Sequence, residues 1–454
     1  MTKRMVLLWA AVAFLVAASQ APGQFISRDP GVRGGAPGAG GMITGLTDRQ
    51  KDVFTAGLED FGEEDGILSG LGPRFNLDSC AGCHAQPAIG GTSPRINPQV
   101  AIATAGGARN VVPSFIKLDG PIREARLKYN PDGSRNGGVH ALFVISGRQD
   151  PDGGDATDCT IRQEDFEPHL AGNNVTFRIP TPVFGMGLIE HIPDAAIVAN
   201  QHATASQRSA LGIGGRPNVT LPTGNPNRNG NDGTIARFGW KAQNKSALLF
   251  AGEAYNVEQG ISNELFPHER DETASCQYAS VPNDTTNWNG STAADVLNGI
   301  QKFAFFMKFL AAPAPAPATP STTRGQALFA STGCALCHTP TLRTASSEIS
   351  GLRYQNVNLY SDLLLHAMGP GLADDIVQGN AGGDEFRTAP LWGLGQRIFL
   401  LHDGRTSDLK EAILAHRSNA SSRFPASEAN QVVDRYLGLG ENQKQDLLNF
   451  LRSL

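Results

Sequence analysis

The sequence predicts a mostly α-helical fold with long loops, built as two similar domains of which the first is enlarged by loop-rich insertions. Three observations lead there. One order of features occurs twice: an apolar helical stripe, a Cys-x-x-Cys-His segment, loops, and a closing helical stripe. A Pro-Ala tract separates the two occurrences. The stretch between the first motif and that tract is broken throughout by turn formers, and the 454 residues include 52 Gly and 28 Pro, which points to long irregular connections.

The elements follow in chain order. Lys3 and Arg4 precede an apolar run from Met5 to Ala18. That run falls short of the roughly 20 residues a membrane span needs, so residues 1–21 read as an export signal rather than an anchor. Residues 22–46 are a Gly-rich leader, expected to be flexible. The first domain is read as 47–310. Its opening helix starts at Thr47, where Gln50 completes a capping box, and Val53, Phe54, Leu58 and Phe61 form its apolar stripe. Cys80-Ala-Gly-Cys83-His84 follows a glycine-punctuated loop at 70–76. Residues 95–295 read as mostly loop with a few short strands and helices, and 212–233 is almost entirely turn formers. A helical stripe from Val296 to Leu310 closes the domain. Residues 311–321 form a Pro-Ala linker, expected to be extended and semi-rigid.

The second domain, 322–454, repeats the opening. Thr323 with Gln326 reads as a capping box, Leu328 and Phe329 follow, and then Cys334-Ala-Leu-Cys337-His338. A helix entered at Thr406 or Ser407 places Leu409, Ala412, Ile413 and His416 on one face. Glu441 to Leu454 is an amphipathic closing helix.

Composition removes some function classes. The formal net charge is −5 and there are no basic runs, so nucleic acid and anionic membrane surfaces are poor partners. Of the six cysteines, four lie in the two motifs. Cys159 and Cys276 are left as thiols of an exported chain, and a disulfide between them is the economical expectation.

The motifs carry specific chemistry. Two thiols spaced by two residues can add across the vinyl groups of one haem, and the adjacent imidazole then lies under its iron. A redox dithiol would not require the histidine, and a zinc knuckle would require further ligands nearby. Two covalently bound c-type haems are therefore expected, on Cys80, Cys83 and His84 and on Cys334, Cys337 and His338. Helix, haem motif, loops and closing helix is the layout of a cytochrome c domain. For the sixth ligand of the second iron the candidates are His416, on its helical stripe, and Met368, in a loop, with His366 and His402 nearby in sequence. Spacing leaves His416 open between ligand and core histidine. After the first motif no histidine occurs before His140, which suggests an open iron. Cleaving peroxide there needs a proton-moving group, and Glu190, in an apolar, glycine-containing segment, is the candidate.

Several stretches resemble the family of Cys-x-x-Cys-His di-haem oxidoreductases described as peroxidases: 70–76 running into the first motif, 177–190, 237–242, 385–395 and 401–405. That family is in turn distantly similar to the bacterial di-haem cytochrome c peroxidases, and the agreement spans roughly 47–454. The resemblance implies a periplasmic oxidoreductase. Electrons from a small donor protein, a cytochrome c or cupredoxin, would enter at the second haem, and hydrogen peroxide or a related small substrate would be reduced at the first. It favours His416 over Met368 as the second sixth ligand, makes Trp392 a neighbour of the electron path, and would admit a calcium ion between the domains, for which the sequence offers no defined ligand set. One departure stands out. The relatives place a displaceable histidine shortly after the first motif, and this chain has none there. The alternative reading is a non-catalytic di-haem electron-transfer protein serving another redox enzyme.

Overall fold

The computed structural model describes residues 25–219 and 235–454. The expected export signal and most of the 212–233 stretch lie outside these residues. Regular structure is mainly helical, and the strands are short.

Each Cys-x-x-Cys-His segment is carried by a pair of crossed helices. The first opening helix, Asp48–Gly62, begins at the expected capping box of Thr47 and Gln50. Its buried face, Val53, Phe54, Gly57 and Phe61, packs on the first closing helix, Gly299–Phe309, which buries Ile300, Phe303, Phe306 and Met307. The second opening helix, Pro320–Thr332, packs in the same way on the second closing helix, Glu441–Ser453. A glycine marks both crossings. A Cβ on Gly57 would lie 2.4 Å from the Lys302 carbonyl oxygen, and one on Gly325 would lie 2.0 Å from that of Asp446. Four residues further on, Phe61 and Phe329 reach the motif histidines, with ring centroids 5.9 Å from His84 and 6.4 Å from His338. The obstructing atoms at Gly325 are the Asp446 carbonyl and the Phe450 Cβ, which cannot turn aside. Gly325→Ala is therefore expected to lower unfolding free energy by about 1–3 kcal/mol, read as a lower urea midpoint at unchanged slope.

Several boundaries differ from expectation. The second opening helix starts at Pro320, not at Thr323. Thr319 is its N-cap, with Thr322 completing the box, because proline's fixed φ and missing N–H suit the first helical turn. The helix thus takes up the last residues expected in the linker. The stripe from Val296 to Leu310 is two helices, Ala293–Val296 and Gly299–Phe309, separated by the capping residue Asn298. The helix expected at Thr406 begins at Leu409, capped by Asp408.

The Gly-rich leader, expected to be flexible, has defined partners in the second half of the chain. Asp29 pairs with Arg452 at 2.7 Å, and both side chains are buried. The Ser27 hydroxyl donates to Glu441, and Ile43 and Leu46 enter the core. The Pro-Ala segment is extended but held: the amides of Ala311, Ala314 and Ala316 donate to the carbonyls of Gly41, Gly38 and Ser453. Leu359, Leu363, Leu364 and Trp392 join the same apolar cluster as Phe61 and Phe306. The segment therefore joins two halves that share one core.

The enlarged first half contains two elements that matter for the site. One is an antiparallel sheet of Val139–His140, Glu124–Leu127 and Val175–Arg178, with Glu124–Leu127 in the middle. The other is the helix Ala247–Gln259, capped by the Ser246 side chain and ended by Gly260 at φ +77°. Cys159 and Cys276 form the expected disulfide, with a Cα–Cα distance of 4.7 Å, inside an apolar cluster with Phe143 and Ile145. It joins points 117 residues apart. The double variant Cys159→Ala/Cys276→Ala is expected to lose about 2–5 kcal/mol in chemical denaturation. Among the described residues no helix is long and apolar enough to cross a membrane.

Candidate functional site

The structure places a cavity beside each motif, of about 140 Å³ at the first and about 240 Å³ at the second. Cys80–Cys83 form a single helical turn, and Cys334–Leu336 form a 3-10 turn. These turns set both cysteines and the histidine of each motif on a cavity wall.

The two histidines are held alike. His84 Nδ1 donates to the Gly91 carbonyl oxygen at 3.0 Å, and His338 Nδ1 donates to that of Tyr360 at 3.1 Å. Burial pushes both imidazoles down to about 4, against backbone contacts at Gly91 and Thr181 for His84 and at Tyr360 for His338, so each is neutral, with the proton on Nδ1 and the lone pair on Nε2. Fixing Nδ1 on a carbonyl is the usual way a protein orients a metal-binding imidazole. The cavities also hold buried polar atoms without partners among the described residues: Arg123 Nε and Gln243 Oε1 in the first, and the Tyr436 hydroxyl in the second. Apolar walls, a free imidazole nitrogen, two adjacent thiols and orphaned polar atoms at the margins fit a large, flat, metal-bearing group with polar edge substituents. A haem is such a group.

The second cavity gathers both ligand candidates, His416 and Met368. His416 follows the Leu409–Ala415 helix directly, and its Nδ1 donates to the Ala412 carbonyl at 2.7 Å. Burial lowers its pKa. It thus shares the arrangement of the two motif histidines. His366 is spent elsewhere, with Nε2 on Asp362 at 3.0 Å and Nδ1 on Glu428 at 2.7 Å. His402 stacks on Phe386 with centroids 4.4 Å apart.

Among the described residues, no histidine besides His84 lines the first cavity. It has charge instead. Glu124 and Arg126 lie on one face of the middle strand and Arg178 stands opposite Glu124, so all three face the cavity. The alternate residues Ala125, Leu127 and Val175 enter the core behind the sheet. Glu258, from the Ala247–Gln259 helix, meets them. Burial raises the Glu258 carboxyl well above the usual range, and Glu124 beside it raises it further. Burial also acts on Glu124, but Arg126 and Arg178 outweigh it and hold that carboxyl below its ordinary value. The pair is therefore split: Glu124 ionises more readily, and Glu258 keeps its proton to higher pH.

Glu190, the sequence candidate for proton transfer, lies off this wall. It accepts from the Ala247 amide at 2.9 Å and pairs with Lys308 at 3.2 Å. Its helix, Met186–Glu190, packs on the closing helix that carries Lys308, which turns the carboxylate away from the cavity. Trp392, expected near the electron path, is a core residue beside Gly185. Trp240 occupies the place between the cavities. With Ile179 and Pro180 it lines both, and its Nε1 donates to the Ile179 carbonyl at 2.9 Å. Sequence reasoning passed over Glu124, Glu258 and Trp240. The Ser246 cap and the glycine at 260 were readable signals for the helix that carries Glu258. Among the described residues no group of three or more His, Cys, Asp or Glu side chains is placed to hold a metal ion such as calcium.

A family model described as "Di-haem oxidoreductase, putative peroxidase" matches residues 146–454, a span that holds the second motif and not the first. No curated protein matches the chain. Solved structures similar over part of their length include the following three. A MauG-like protein associated with microbial copper homeostasis is 18% identical over 34% of this chain and 52% of its own, with a TM-score of 0.24. The hydrazine synthase of Kuenenia stuttgartiensis is 19% identical over 34% and 55%, with a TM-score of 0.23. The diheme peroxidase BthA of Burkholderia thailandensis is 15% identical over 47% and 60%, with a TM-score of 0.24. The chain thus spans between about half and three fifths of the structures it matches.

Proposed function

Because the chain belongs to the di-haem oxidoreductase family, we propose that it is an exported peroxidase that binds one c-type haem at each motif. Thioethers from Cys80 and Cys83 would hold the first above His84, and thioethers from Cys334 and Cys337 would hold the second above His338. The single observation that carries this reading is the matched pair of neutral imidazoles, each fixed through Nδ1 on a carbonyl and facing a cavity with its two cysteines.

When bound, haem supplies redox-active iron, able to take up electrons one at a time and to bind peroxide where a coordination position is open. The residues divide the remaining work. His416 shares the second cavity with His338 and would supply that iron's second protein ligand, which would suit the site to passing electrons. Among the described residues the first cavity offers no second imidazole, which would leave a bound haem's iron there open to a small substrate. Reduction of hydrogen peroxide to two waters consumes two electrons and two protons. Glu258 holds a proton at the cavity wall and delivers it to the departing oxygen, and the ionised Glu124 beside it helps return a proton from solvent. Trp240 bridges the cavities and shortens the gap electrons must cross. A small cytochrome c or cupredoxin is the donor. The basic n-region at Lys3-Arg4, the apolar run behind it and the Cys159–Cys276 disulfide support a periplasmic location.

Mass spectrometry of the mature chain is expected to show two haem additions, and reduced protein is expected to turn over hydrogen peroxide. A mature chain with two haems that fails to react with peroxide at every redox level would leave the carrier reading instead. One observation favours that alternative: Met307 lines the first cavity and would make it a six-coordinate electron-transfer site if its sulfur bound iron. Electron paramagnetic resonance separates the two, since the peroxidase reading expects a first iron that accepts added cyanide.

A further inference from the structure

Two arginines on the wall of the second cavity have no carboxylate partner among the described residues. Arg387 is buried, 7% exposed. Its Nε donates to the Gly239 carbonyl at 3.0 Å and its Nη1 to that of Thr388 at 3.4 Å. Arg397 donates through Nη2 to the carbonyls of Pro390 and Trp392 at 2.8 and 3.0 Å. Both line the cavity. The carboxylate on the same wall, Glu428, is taken up by His366 Nδ1 at 2.7 Å and by the amides of Ala367 and Gly214.

Two like charges drawn from water, one buried and one partly buried, and close enough to oppose each other, are costly unless anionic groups meet them. Burial pushes both guanidiniums down to about 10, and Arg397 adds to the effect at Arg387. Elsewhere this chain compensates buried arginines with carboxylates: Arg208 with Asp362 at 2.8 Å, Arg178 with Asp374 at 2.7 Å, and Arg452 with Asp29 at 2.7 Å. Arg387 departs from that pattern, and the partly buried Arg397 likewise has no carboxylate partner among the described residues, at a cavity that would receive a group bearing two carboxylates. Guanidinium is also the side chain best shaped to bind a carboxylate through two parallel hydrogen bonds.

We propose that Arg387 and Arg397 bind the two propionates of the haem held at the second motif and turn its propionate edge toward Trp240. The orientation follows from the backbone. The Arg387 amide donates to the Trp240 carbonyl at 2.9 Å, and its side chain donates to the preceding residue, Gly239. Electrons leaving the second haem then start from the edge nearest the residue shared by both cavities. The proposal rests on the reading that a haem occupies this cavity.

The test uses the mature di-haem protein and the variants Arg387→Gln, Arg397→Gln and Arg387→Lys. Haem per chain is counted by mass, and the midpoint potential of the second haem is followed from pH 5 to 9. Loss of a cation beside a propionate disfavours the anion, so each Gln variant is expected to titrate its propionate at higher pH. The potential should then gain a pH dependence absent from the parent. Arg387→Lys, which keeps the charge, should stay nearer the parent than Arg387→Gln. Identical potentials and pH profiles in parent and all variants, with two haems per chain, would overturn the propionate assignment and leave the di-haem reading intact. If a Gln variant fails to mature, a Lys variant with the parent's profile supports the assignment, and one that loses its haem overturns it. A parent chain without haem at Cys334 and Cys337 overturns both, and the mass shows which has failed.

Discussion

Glu258→Gln is expected to lower peroxide turnover by about 10²–10⁴-fold at neutral pH, the range for loss of a positioned proton donor, with haem content and fold retained. The substitution removes one proton and little else. Asn76 Nδ2 donates to Glu258 Oε2 at 2.8 Å, and a glutamine oxygen can accept that bond. The parent's pH profile carries the same information. Burial first, and then Glu124, hold the Glu258 proton well above the ordinary carboxyl value of 4.5. Its rate contribution is therefore full at low pH and falls as pH rises through the raised value. Stability runs the same way. A carboxyl whose pKa is raised by folding contributes fully below its unfolded value of about 4.5 and loses that contribution as pH rises toward the folded one. Glu258→Gln should remove both slopes, read in stopped-flow peroxide assays and in urea titrations at successive pH values. Glu190→Gln is the contrast. That carboxylate faces Lys308 outside the cavity, so turnover should change by less than about twofold. A parent-like rate in Glu258→Gln together with a collapsed rate in Glu190→Gln would reverse the assignment made from the cavity wall.

The contrast between these two glutamates shows which features a sequence carries. The motifs, the Thr47–Gln50 box and the closing helix at Glu441 are local patterns, set by residues three or four apart, and they stand in the structure as read. Glu258 and Glu124 meet only because a strand with period-two alternation points Glu124 and Arg126 at a helix more than a hundred residues later. That helix is apolar on several sides, with Leu249, Ala251 and Tyr255 all buried, so it lacks the one-sided stripe that marks a surface helix. Glu190 stands off the first cavity wall for the opposite reason. Its apolar surroundings were legible, but the direction of its side chain depends on Lys308 and Ala247, which only tertiary packing supplies. The partners of the leader were hidden in the same way. Gly-rich composition argues for flexibility until Asp29 finds Arg452 across the fold.

His416→Gly is expected to open the second iron, converting its low-spin signature to high spin, and added imidazole should restore the parent spectrum. His416 leaves the Leu409–Ala415 helix with Nδ1 on the Ala412 carbonyl, so its free nitrogen shares the cavity with that of His338. The pair interact, since charge on His416 would disfavour charge on His338. Removing the ring gives up one hydrogen bond at a helix end, worth about 1 kcal/mol, and replaces the C-cap at φ −69° with a residue that tolerates that conformation. The variant should therefore fold. Electron entry should suffer far more than stability, because loss of a strong axial ligand changes the potential of the iron and the reorganisation that accompanies each electron. Met368 provides the competing expectation, as its sulfur lines the same cavity. If Met368 were the ligand, Met368→Ala would yield the high-spin spectrum and His416→Gly would leave it unaltered. The geometry favours histidine: His416 repeats the carbonyl-anchored imidazole that both motif histidines use. In the second cavity that arrangement would supply both protein ligands of a haem, and in the first it would supply one and leave the remaining space to Glu258 and a small substrate.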